Sequence, residues 1–121
     1  MWGSQSGSVF RYLSEDFMKP VVDELDYILK NLPIKVSIYN GQFDLIVNVL
    51  GSNKWIRKLS YNNEREFSSA KRYSVSVDGK MLGILKTDGK LSYYLNLEAG
   101  HMLAKDSPKM GLYILKRTIQ Q

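Results

Sequence analysis

At 121 residues the chain is the length of one small domain with room for a modest core. Its 44% hydrophobic and 24% charged residues exclude a disordered polymer, and the absence of cysteine excludes disulfides and thiolate metal sites. The net charge of +5 comes from scattered residues, with Lys54-Arg57-Lys58, Lys71-Arg72 and Lys116-Arg117 as the longest clusters, so a solvated surface explains it better than a nucleic-acid interface.

Residues 1–8, MWGSQSGS, read as a loop, and residues 9–13 as a short helical turn. Ser14 stands where an N-cap would, with Glu15 and Asp16 in the first turn, where the helix dipole favours acids. Phe17, Val21, Leu25, Ile28 and Leu32 then recur at helical spacing. Pro20 either kinks this helix or starts a second one, and Asn31 and Pro33 end it. Residues 34–39 alternate Ile34, Val36 and Ile38 with Lys35, Ser37 and Tyr39, a strand closed by Asn40-Gly41.

After Asp44 comes LIVNVLGSNKWIRKL, expected to be helical and broken or capped near Gly51-Ser52. Residues 60–71 are polar and read as a loop, with room for a short strand. Asp78-Gly79 and Asp88-Gly89 tolerate the positive φ of tight turns, so residues 72–97 form a three-stranded meander. In its last strand Leu91, Tyr93, Leu95 and Leu97 are expected on one face. Ser107-Pro108 opens a terminal helix with Leu112, Leu115 and Ile119 as its apolar stripe. The order helix, strand, Asp loop, helix, antiparallel meander, His loop, C-terminal helix is mixed α/β. A strand such as 34–39 needs neighbours on both edges.

Two loop residues carry chemistry. Asp44 in YNGQFDLIV and His101 in AGHMLAKDSP lie 57 positions apart, and His101 is the one histidine of the chain. Taken alone, an Asp before an apolar helix is an N-cap and a lone histidine is structural. Tyr39, Phe43, Tyr93 and Tyr94 allow an aromatic recognition surface, but core and rim packing is the simpler reading.

WGSQSGSVF, DFMKP, YNGQFDLIV, GSNKWIRKL and AGHMLAKDSP, in this order from Trp2 onward, resemble the C-terminal part of the serine carboxypeptidases. The branch that the chain most resembles contains the retinoid-inducible, vitellogenic-like and venom enzymes. The resemblance implies an α/β-hydrolase fold, of which residues 1–121 are the C-terminal fragment, and serine-dependent release of C-terminal residues from peptides. It assigns Asp44 and His101 to the catalytic triad and Met102 to the pocket for the substrate's C-terminal residue. Leu103 and Ala104 depart from the Val-Pro that the family often shows there, and Ser107 replaces a frequent Gln, while Asp106 and Pro108 are kept.

The family's nucleophile sits in a G-x-S-x-G elbow, and no such pattern occurs here. Gly3-Ser4-Gln5-Ser6-Gly7 has the nearest look but stands ahead of a helix and coincides with the family's ordinary WGSQSG-like block. The expectation is therefore a truncated product, an incomplete gene model or one chain of a processed enzyme, with a non-catalytic remnant as the competing reading. No cofactor and no metal are implied. The implied partners are peptide C-termini and the N-terminal chain that carries the serine, with no nucleic acid. The family resemblance implies a secreted or lysosomal setting. The first 30 residues show no signal-peptide pattern and no apolar run reaches the ~20 residues of a membrane span.

Overall fold

The computed structural model describes residues 6–120. The first five residues and Gln121 lie outside them, and with them most of the loop expected over residues 1–8, including Gly3-Ser4-Gln5. Helix α1 (Gly7–Tyr12) is followed by turns, then α2 (Val22–Asn31), β1 (Val36–Gly41), α3 (Val49–Ile56) and α4 (Glu64–Ser69). Strands β2 (Arg72–Val77), β3 (Lys80–Thr87) and β4 (Leu91–Asn96) precede α5 (Leu103–Asp106) and α6 (Pro108–Ile119). The four strands form one sheet in the order β1-β4-β3-β2. The meander β2-β3-β4 is antiparallel, and β1 joins β4 in parallel, Val36 opposite Leu91 through Gly41 opposite Asn96.

Both Asp-Gly turns form, by different means. Asp78 and Gly79 both take positive φ (52° and 78°), the geometry that matches strand twist in a two-residue hairpin. At the second, only Gly89 does (95°), and the Asp88 carboxylate accepts the amides of Lys90 and Leu91 at 2.8 and 2.7 Å.

Residues on β4 alternate between two cores. Leu91 and Tyr93 pack with Leu29, Ile56, Leu59, Tyr61 and Phe67 on one side of the sheet. Tyr94 packs with Val75, Leu82, Ala99, Leu103, Met110 and Ile114 on the other. Helices therefore cover both faces, and β4 is buried on both.

Several expectations about element limits and stripes fail for physical reasons. Ser14 caps no helix: its hydroxyl donates to the Arg11 carbonyl at 2.8 Å, at the end of α1. Met18 at φ 73° breaks the chain, Pro20 disfavours helix at Lys19, and α2 starts only at Val22. Pro20 thus neither kinks a helix nor occupies its first turn. The buried stripe of α2 is Val22, Leu25, Asp26 and Leu29, with Val21 and Phe17 exposed. The buried Asp26 is held by the Ser60 amide and hydroxyl at 2.8 and 2.9 Å, so a polar residue occupies a position that a count of apolar residues skips.

The expected break at Gly51-Ser52 lies inside α3. The cap is Asn48, whose side chain accepts the Gly51 amide at 2.7 Å. Residues 64–69 form α4, not a loop, because Phe67 is buried in the core and anchors the turn. On α6 the buried residues are Met110 and Ile114, with Tyr113 packed beside them, while Leu112, Leu115 and Ile119 face outward. Tyr93 and Tyr94 are core residues; Tyr39 and Phe43 are exposed.

Candidate active site

Because β1 and β4 run parallel, their C-terminal ends meet at one edge of the sheet. The loop after β1 carries Asp44 and the loop after β4 carries His101. This is the position where open α/β sheets expose functional groups. The two loops are laced by backbone bonds: Gln42 N–H donates to the Asn96 carbonyl at 2.8 Å and Phe43 N–H to the Ala99 carbonyl at 2.9 Å.

Gly41, expected to close a turn, is instead the last residue of β1 and a point of close approach. A Cβ there would run into the carbonyl oxygens of Gly100 and Ala99. Glycine is required by contact between the loops.

The Asp44 carboxylate divides its work between its two oxygens. Oδ1 accepts the amides of Ile46 and Val47, each at 2.9 Å, which folds the loop back on itself. Oδ2 lies 3.0 Å from His101 Nδ1. Asn40 steadies the far side of the loop, donating to the Val47 carbonyl at 3.1 Å and accepting from the Tyr93 hydroxyl at 3.2 Å. The Val47 amide holds the Asp44 carboxyl below its ordinary pKa; burial opposes this, and the bonds from His101 and Ile46 add to it.

An ionised carboxylate only accepts, so His101 Nδ1 must be the donor, and in the neutral ring the lone pair is then on Nε2. The imidazole is 48% exposed while the carboxylate is 5% exposed. A buried anion thus orients a half-open base. Such a pair is able to accept a proton at Nε2 and stabilise the imidazolium that results.

Asp106 completes the His loop: its Oδ2 accepts the Gly100 amide at 2.8 Å, one residue before His101. The sequence offered no role for it beyond the kept motif. Met102, next to His101, is 63% exposed and its carbonyl accepts the amides of Lys105 and Asp106 at 2.8 and 3.0 Å. Leu103 turns into the core, whereas Ala104 lies against Gly111 of α6. Among the described residues no group of three or more His, Asp and Glu is arranged to hold a metal ion. None of the described helices is long and apolar enough to cross a membrane.

Comparison with known proteins agrees on one family. The serine carboxypeptidase family model matches residues 1–121. Retinoid-inducible serine carboxypeptidase of Homo sapiens is 39% identical over 123 residues, covering 99% of this chain and 27% of its own length. The Rattus norvegicus protein of that name is 38% identical with the same coverage. Serine carboxypeptidase-like 47 of Arabidopsis thaliana is 35% identical over 117 residues, covering 97% of this chain and 23% of its own. The crystal structure of a prohormone-processing carboxypeptidase from Saccharomyces cerevisiae superposes with a TM-score of 0.81 at 25% identity, over 98% of this chain and 26% of that one. The chain spans about a quarter of the length of the proteins it matches. Its sheet, its covering helices and these matches make the chain a member of the serine carboxypeptidase family with an α/β-hydrolase type of fold.

Proposed function

We propose that these 121 residues are the acid–base portion of a serine carboxypeptidase that releases C-terminal amino acids from peptides. The observation that carries this reading is the 3.0 Å bond between His101 Nδ1 and Asp44 Oδ2, a half-exposed imidazole on a buried carboxylate. His101 acts as general base, taking the proton of a serine hydroxyl as its oxygen attacks the terminal peptide carbonyl. It then returns that proton to the departing amine. Asp44 keeps Nδ1 protonated and offsets the charge of the imidazolium. Met102, exposed beside the imidazole, lines the pocket for the leaving residue.

The serine, the oxyanion-hole amides and the groups that grip the substrate carboxylate come from chain outside these residues. Two facts support this: the sequence holds no G-x-S-x-G elbow, and its relatives are about four times as long. Residues 1–121 are on this reading the C-terminal part of one α/β-hydrolase domain, and the N-terminal part is their first partner. We assign the intact enzyme to the secretory or lysosomal route on the family resemblance. The same lack of an elbow favours, as a second reading, a non-catalytic module that retains the pair for binding.

A fluorophosphonate probe separates the two. The isolated chain should not be labelled, since it holds no activated serine. A hybrid that joins it to the N-terminal portion of the rat retinoid-inducible enzyme should be labelled stoichiometrically. Labelling of the isolated chain would refute the assignment of the nucleophile to another segment, and a folded but unlabelled hybrid would favour the non-catalytic module.

A further inference from the structure

On the sheet face that carries Leu91 and Tyr93, the rows toward β2 hold cations where a covered face ordinarily holds apolar side chains. Arg72 stands directly opposite Lys86, and Lys86 directly opposite Tyr93, so all three point to the same side. Like charges placed opposite each other in this way destabilise a sheet. The C-terminal cap of α3 and helix α4 bring Arg57 and Arg65 to the same place, where they line one cavity of about 370 Å³ with Arg72, Lys86, Phe67 and Tyr93. A smaller cavity of about 190 Å³ shares Arg72, Lys86 and Tyr93 and extends the cleft along the sheet.

The cations of the cleft, Arg57, Arg65, Arg72 and Lys86, outnumber its acids four to one. None of the four makes an ion pair within 4.0 Å among the described residues, and Glu64 is the one acid in the lining. Lys86 Nζ makes do with the Ser68 carbonyl at 3.0 Å and the Phe67 ring, whose centroid lies 5.0 Å away. Desolvation, then the charges of Arg72 and Arg57, hold Lys86 below its ordinary pKa. The cleft thus concentrates positive charge above an aromatic floor.

We propose that this cleft is a binding site for a small, multiply charged oxyanion, a phosphate or sulfate ester, which relieves the repulsion between Arg72 and Lys86. Guanidinium forks match such oxyanions in bidentate fashion, and the cavity volume is in the range that holds a small ligand. Neither Asp44, His101 nor Met102 lines the cleft, so the site is separate from the proposed catalytic pair.

The test is equilibrium dialysis of the 121-residue chain at fixed ionic strength, with labelled inorganic pyrophosphate in one arm and a sulfated heparin disaccharide in the other. Saturable binding of at least one probe is expected, and the tighter probe tells whether the site takes phosphate or sulfate oxyanions. Lys86→Met and Arg72→Gln should each weaken it by about tenfold or more, the scale of one charge-assisted hydrogen bond. Lys80→Gln and Lys109→Gln, which remove cations paired with Glu98 and Asp78 elsewhere, should leave it within about twofold. Without ligand, Lys86→Met should melt at or above the parent, because it removes repulsion. Absence of saturable binding in both arms, equal loss in the Lys80 and Lys109 variants, or a lower melting temperature for Lys86→Met would overturn the proposal.

Discussion

Asp44 shows how one carboxylate both shapes a loop and orients a base. Its Oδ1 closes the turn over Ile46 and Val47, and its Oδ2 takes the imidazole. Replacing it with Asn keeps an acceptor for the two amides but sets a donor against Nδ1–H, so the ring should switch tautomer. His101 is the single histidine, so long-range ¹H–¹⁵N spectra report on it without ambiguity. At neutral pH the parent should show a protonated Nδ1, and Asp44→Asn should show a protonated Nε2; the same tautomer in both would contradict the assigned bond. Acid has a defined effect too. The folded Asp44 carboxyl titrates below its ordinary value of 3.8, so its contribution to stability is whole at neutral pH, starts to fall near that value and is lost as pH passes through the lower folded one. Melting temperatures of parent and Asp44→Asn should therefore converge as the pH falls below that ordinary value, and a constant gap would count against the shift.

At the scale of elements, the parallel register of β1 and β4 brings the two loops together, and Gly41 permits their contact. Gly41→Ala should force the loops apart and destabilise the chain by about 1–3 kcal/mol, the usual cost of overpacking. Chemical denaturation measures it; a change below about 0.5 kcal/mol would show that the loops yield. Patterns with a local cause were legible in the sequence: the Asp-Gly turns, the meander and Pro108 at the start of α6. The pair of loops was legible through motif resemblance, not periodicity. The helix stripes were misread because Asp26 lies inside one and the apolar Leu112, Leu115 and Ile119 lie outside another. Asn96 is a similar case. It ends β4 fully buried, and its side-chain amide has no hydrogen-bond partner among the described residues, a cost no alternation rule anticipates. The parallel partner of β1 was invisible for another reason, since pairing between residues as distant as Val36 and Leu91 leaves no local trace.

The whole molecule exposes 9149 Å², against about 6,700 Å² for a compact monomer of its 13.9 kDa. The excess has the size of an extensive protein–protein interface. Part of it is apolar and continuous with the site: Phe43, Leu45 and Ile46 of the Asp loop are 63%, 95% and 74% exposed. Beside them β1 ends the sheet of described strands with an open edge, which invites association. Expressed alone, the chain should self-associate or bind a hydrophobic dye, and sedimentation as a monomer that binds no dye would contradict this. The proposed activity belongs to the same scale, because base and orienter without a nucleophile retain little of the acceleration. The most direct measurement is peptide hydrolysis by the hybrid with the rat enzyme's N-terminal portion. The account predicts release of single C-terminal residues, with kcat falling about ten-thousand-fold in Asp44→Asn and at least as far in His101→Gln. A folded hybrid that hydrolyses peptides equally well without His101 would contradict it.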